Sequence, residues 1–175
     1  MKSIDRLAAI DTSSPRLSAG LPDMPLQLVV LMRLVRAASQ GMSDYLGPFL
    51  RPSGFTESSL HTLMLLFASR DGTASPGLLC ELVGQTRANM TRILETLADG
   101  KLVSRATDGR DARRQVIRIT GEGRRIIREI VPAIAAPLKL AMGGMTKDEV
   151  STLVKLLRKL IVSLDQGERQ LRAAV

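Results

Sequence analysis

Tryptophan is absent from these 175 residues, and the aromatic complement stops at one tyrosine and three phenylalanines. A core must then be assembled from Leu, Ile, Val and Met, a choice that favours helices. A single cysteine, Cys80, excludes an intrachain disulfide and any cysteine-cluster metal site. A single histidine, His61, leaves imidazole metal sites and His-assisted nucleophilic catalysis without their usual parts. No cofactor, no metal and no enzymatic activity are expected. No segment approaches the ~18 apolar residues that would cross a bilayer; the best run, Leu26 to Val35, is interrupted by Arg33. The apolar part of MKSIDRLAAID is too short for a signal peptide. A cytoplasmic protein with no membrane association is expected.

What is present is ordinary hydrophobicity and an excess of positive charge. Hydrophobic residues make up 45% and charged residues 24%, which suits a folded domain. The length fits one domain, or one domain with a helical extension. A net charge of +8 and a pI near 10.5 point to an anionic partner, nucleic acid ahead of a membrane surface.

Periodicity divides the chain into segments. Residues 1–22 mix Ser, Gly, Pro and charge without a pattern and are expected to form a flexible tail, loose or docked on a partner. Leu28, Val29, Met32 and Val35 recur at helical spacing, with Asp23 as a cap, and the helix is expected to end near Leu46, before the breaker Gly47-Pro-Phe-Leu-Arg-Pro-Ser-Gly54. Thr56 caps a second helix carrying Leu60, Leu63, Met64 and Phe67. Ser75-Pro76 opens a short helix in the usual cap-then-proline order. Gly84-Gln85 turns the chain, Thr86 caps the next helix with its Met90, Ile93, Leu94 and Leu97 stripe, and Gly100 is expected to stop it. Two helices across a glycine turn make a helix-turn-helix. Leu102–Ala106 and Gln115–Ile119 then read as strands around the loop DGRDARR. Thr120 starts a helix that Pro132 and Pro137 are expected to kink. Thr146-Lys-Asp-Glu149 is a capping box for a last helix, striped by Val150, Leu153, Val154, Leu157, Leu160, Ile161 and Leu164.

The expected architecture is mainly α with a small β-hairpin wing: a winged helix-turn-helix domain plus a helical dimerisation region. Residues 23–54 supply an N-terminal dimerisation helix and linker, residues 55–119 the winged helix-turn-helix, and residues 120–175 the C-terminal dimerisation helices. The long helices carry more apolar surface than a small winged helix covers alone, and a homodimer is the economical explanation.

Charge singles out the same region. Between Thr86 and Arg128 eleven basic residues stand against five acidic ones, so six of the eight net charges fall in this stretch. Ten of the eleven are arginine, whose guanidinium bonds guanine or phosphate bidentately. Off the apolar stripe of the second short helix, the first turns present Thr86, Arg87, Asn89 and Arg92, the positions that meet base edges when a helix N-terminus enters a major groove. Asn89 suits adenine and Arg87 guanine, while the Thr86 hydroxyl suits phosphate.

Residues 75–127, SPGLLCELVGQTRANMTRILETLADGKLVSRATDGRDARRQVIRITGEGRRII, resemble the MarR family of bacterial transcriptional regulators. The likeness rests on Thr91-Arg92, a Leu-x-x-x-Gly-x-Leu-Val-x-Arg exit, a DxRDxR wing and a following Ile-Thr-x-x-Gly. The resemblance implies a homodimer on the palindromic operator of double-stranded DNA, with recognition helices in major grooves and wings in flanking minor grooves. Its DNA-facing set is then Ser75, Thr86, Arg87, Asn89, Thr91 and Arg92, joined by the wing arginines Arg110 and Arg113. Asp108 or Asp111 braces one of those two. Thr107 stands where many members have proline. The resemblance also implies a small phenolic or lipophilic effector between the dimerisation helices and the winged helix, for which Tyr45, His61 and Met64 are candidates. ELVGQTRANMTRI and the N-terminal extension are most like repressors of multidrug efflux operons. A regulator of aromatic-compound catabolism and an architectural DNA-binding protein with little sequence preference are the alternatives. Cys80, beside Leu79 and Val83, reads as a buried structural thiol rather than a sensor.

Overall fold

The computed structural model describes residues 2–108 and 111–174, with the backbone alone for Asp108 and residues 111–114. Among the described residues there are seven α-helices and one three-stranded antiparallel sheet. The order is α1 (Ser3–Gly20), α2 (Leu26–Leu50), α3 (Glu57–Ala68), β1 (Thr73–Ala74), α4 (Pro76–Val83), α5 (Arg87–Asp99), β2 (Val103–Asp108), β3 (Asp111–Ile119), α6 (Gly121–Ala141) and α7 (Lys147–Ala173). Met1–Ile134 and Ala135–Val175 are two compact units. No helix among the described residues is long and apolar enough to cross a membrane.

The first unit has one core. Leu63 and Leu66 of α3 and Leu79 of α4 have no exposed surface, and around them lie Met90, Ile93, Leu94 and Leu97 of α5. Val103 of β2, Ile117 and Ile119 of β3, and Ile127, Ile130 and Ile134 of α6 close it. Sheet order is β1-β3-β2, with Val103 opposite Ile119 and Arg105 opposite Ile117. Thr73 and Ala74 pair with Arg118 and Ile117 on the other edge. The two-residue strand β1 is too short to carry an alternating pattern.

Residues 3–20, expected as a flexible tail, instead form α1 packed on α2. Ile10 is buried, Arg6 pairs with Asp44 at 2.8 Å, and Arg33 donates to Ser13 at 2.7 Å. Pro15 removes a single N–H from the helix, and these contacts with α2 hold it in place. Hydrogen bonds from Gln40 and then Arg6 hold the Asp44 carboxyl below its ordinary value.

Helix α2 also departs from expectation at both ends. Asp23 does not cap it; Pro25 stands at the N-cap and makes no side-chain bond. The helix runs through Gly47-Pro48 to Leu50, because Leu50 is 2% exposed and anchors its last turn in the core. The break comes at Arg51–Ser53, a 3-10 turn, and Gly54 with φ 75°.

The caps on the following helices are as expected. Thr56 accepts from Ser59 N, Ser75 from Leu78 N, Thr86 from Asn89 N and Thr146 from Glu149 N. The Thr146 N–H and hydroxyl in turn hold the Glu149 carboxyl below its usual value. The end of α5 differs: Gly100 has φ −72°, and the left-handed residue is Lys101 at φ 58°. Leu102 N bonds Leu97 O at 2.9 Å across this turn, so chain reversal into β2 sets the conformation.

The junction between hairpin and α6 is tight. Thr120 accepts from Gly123 N at 3.0 Å, while its hydroxyl donates to Lys101 O at 2.8 Å. Gly123 is buried there, against the Leu102 carbonyl.

Candidate nucleic-acid interface

The turn between α4 and α5 is built by local bonds. The Gly84 N–H closes the last turn of α4 on the Cys80 and Glu81 carbonyls, and its φ of 68° turns the chain back beyond it. Gln85 N bonds Cys80 O at 3.0 Å, and the Cys80 thiol donates to Gln85 O at 2.7 Å. Cys80 is half-buried against the core and clasps the turn.

Thr86 then opens α5, its hydroxyl accepting from Asn89 N at 3.2 Å. With Met90, Ile93, Leu94 and Leu97 committed to the core, α5 turns Thr86, Arg87, Asn89, Thr91 and Arg92 outward, all exposed. Five of the expected interface residues therefore share one surface, and Ser75 is exposed at the start of α4. Replacing Thr86 with Ala should cost about 1 kcal/mol, the usual loss for an N-cap, and lower the denaturant midpoint measurably with the slope unchanged.

The outward face has two flanks. Asn89, Arg92 and Thr96 border a cleft of about 380 Å³ whose other wall is the start of α3, with Thr56 and Ser58. Arg87 and Thr91 lie on the opposite flank. The Asn89 amide nitrogen donates to Gln85 Oε1, and the Thr91 and Thr96 hydroxyls donate to the Arg87 and Arg92 carbonyls at 3.0 and 2.9 Å. Neither the Arg87 nor the Arg92 guanidinium has a carboxylate partner among the described residues.

Several cations counted from the sequence are committed elsewhere. Arg125 bonds Glu122 and Glu129, each at 2.5 Å, and its hydrogen bond holds the Glu122 carboxyl low. Arg124 and Arg128 both lie 5.7 Å from the Phe67 ring centre. Arg118 donates to Asp71 O. These commitments, invisible in the charge count, set Arg124, Arg125, Arg128 and Arg118 apart from Arg87 and Arg92 of α5, which have no such partner among the described residues.

β2 and β3 are longer than the sequence pattern indicates and take in most of DGRDARR. Thr107 pairs with Gln115 and the next pair is Asp108 with Asp111, so the register shifts beside Thr107. Arg110 lies outside the described residues, and so do the side chains of Asp108, Asp111 and Arg113.

The candidate effector residues are less gathered. Tyr45 is half-buried on α2, its ring centre 5.5 Å from that of Phe49. His61 and Met64 are exposed on α3, Met64 at 41%. Met64 was expected on the apolar stripe, but Leu66 takes the buried position.

No family model matches the chain. It is 31% identical over 144 residues to the HTH-type transcriptional regulator PrsX of Escherichia coli, covering 82% of this chain and 87% of that one. It is 26% identical over 147 residues to the transcriptional repressor MprA of Escherichia coli K12, covering 84% of each. Among solved structures, a mutant MarR from E. coli complexed with operator DNA matches with a TM-score of 0.68 at 23% identity, over 79% of this chain and 98% of that one. That last likeness is one of fold.

Proposed function

The chain belongs to the MarR family of transcriptional regulators, and from that premise we propose that it is a ligand-responsive homodimer that represses transcription from a palindromic operator. The observation that carries this reading is the exposed, uncommitted basic face of α5 beside the β2–β3 hairpin. The dimer sets its two recognition helices about 34 Å apart, one turn of DNA. Each α5 enters a major groove, and each hairpin reaches the neighbouring minor groove through Arg110 or Arg113, braced by Asp108 or Asp111.

Repression is supported by the name of one relative, a transcriptional repressor, and by a fold shared with a protein bound to operator DNA. The effector is a small phenolic or lipophilic molecule, held near Tyr45, His61 and Met64, and the target an efflux or detoxification operon. Such a ligand weakens operator binding by as much as it prefers a differently spaced dimer.

Selection of binding sites from random DNA tests the proposal. A palindrome with half-sites one turn apart is the expected result. Recovery of no motif, with affinity that collapses in salt, would establish a protein that binds DNA through phosphates alone. On the selected operator, Arg110→Ala or Arg113→Ala should weaken binding by about tenfold, roughly the value of one good groove contact, with the dimer intact. Unchanged affinity in both variants at fixed salt would remove the hairpin from the interface.

A further inference from the structure

We infer that the two arginines of α5 do different work: Arg87 reads a base edge and sets specificity, while Arg92 grips a backbone phosphate over the cleft with α3. This rests on α5 entering the major groove.

A helix about 10–12 Å across nearly fills a groove about 12 Å wide, so beyond its first turn its flanks stand against the sugar–phosphate walls. Residues near its N-terminus go deepest. Arg87 is the first residue of α5, followed by Ala88, whose small exposed side chain lets the helix approach the base pairs. Its guanidinium is unpaired among the described residues and so keeps both of its forked donors for guanine O6 and N7.

Arg92 stands about one and a half turns further on, and with Asn89 and Thr96 it borders the cleft. The residues lining that cleft include the Thr56 and Ser58 hydroxyl side chains, the Asn89 amide and the Arg92 guanidinium, and no carboxylate. A surface with hydrogen-bond donors and one unbalanced cation suits an anion that passes along the groove wall, which is a phosphate. Ser58 thereby joins the interface from α3, an element that the sequence pattern places only in the core. Asn89 belongs with this flank: it borders the same cleft, and one of its two amide N–H groups is donated to Gln85.

The two roles separate in one experiment on the full chain. Affinity is measured for the selected operator and for a shuffled duplex of equal length, at several salt concentrations. Arg92→Ala should weaken both duplexes by about tenfold and reduce the salt slope by about one, and Arg92→Lys should recover most of the loss, because a phosphate accepts a point charge. Arg87→Ala should weaken the operator by about 10- to 100-fold with little effect on the shuffled duplex, and Arg87→Lys should not restore it, because the forked pairing is lost. Ser58→Ala should lower both affinities in parallel. The assignment is overturned if Arg92→Ala narrows the operator-to-shuffled ratio, if Arg92→Lys stays as weak as Arg92→Ala, or if Arg87→Ala leaves that ratio unchanged. If the unaltered protein does not distinguish operator from shuffled DNA, the proposed function itself fails, before any variant is compared.

Discussion

Leu157→Glu in α7 is expected to dissociate the proposed dimer and to weaken binding to the proposed operator by about 10²–10⁴-fold, the avidity gained when two half-sites are bound as one unit. None of the 27 residues of α7 is buried. Yet Leu153, Val154, Leu157, Ile161 and Leu164 recur at helical spacing and stay exposed, Ile161 at 65% and Leu164 at 64%. Monomeric proteins rarely leave a contiguous apolar stripe of this length in water. A carboxylate in the middle of such a stripe would have to be buried unpaired in the assembled dimer, a cost of several kcal/mol. Gln166, on the opposite face of the same helix, provides the control: Gln166→Glu should leave both properties as they are. Sedimentation and operator titration of the two variants settle the point. A Leu157→Glu protein that remains dimeric would place the interface elsewhere.

Gly123→Ala should be damaging out of proportion to the one methyl group it adds. A β-carbon at this buried position would lie 2.3 Å from the Leu102 carbonyl oxygen and 2.9 Å from Ile119 Cγ1. The carbonyl has little freedom to move aside, since it accepts from Thr120 N at 3.0 Å. The start of α6 would have to lift from the sheet. We expect a loss of about 1–3 kcal/mol, typical of overpacking, and a melting temperature lower by several degrees. At Gly121 an added β-carbon meets nothing, so Gly121→Ala should leave the melting temperature almost unchanged. Equal melting temperatures for the two variants would contradict the close packing at Leu102.

That junction also shows where sequence reasoning stops. Gly123 was visible as the glycine of the Ile-Thr-x-x-Gly motif but not as a point of close packing, and Gly100 read as the glycine that stops α5, a place where a left-handed backbone is common. Gly100 does not adopt that conformation; Lys101 does, because the chain must turn at once into β2. The N-terminal segment reads as a tail since Ser, Pro and Gly interrupt it. It becomes α1 through Arg6 and Ser13, whose partners on α2 lie 38 and 20 residues away. Among the candidate interface residues, the exposed set on α5 was visible in the spacing of its apolar stripe. The flank on which each residue lies was not, because that depends on α3 packing beside it.

By itself, then, the sequence determined what is local: the caps at Thr56, Ser75, Thr86 and Thr146, the apolar stripes of the helices, and the concentration of arginine around DGRDARR. Caps and stripes are decided within one or two turns of chain, and net charge does not depend on folding. Tertiary structure alone decided the rest: the helicity of α1, the left-handed Lys101, the closeness at Gly123, and the arginines of the basic stretch that remain free of protein partners. Apart from the turn at Lys101, each of these depends on residues far apart in the chain, and spacing along a sequence carries no record of which surfaces meet.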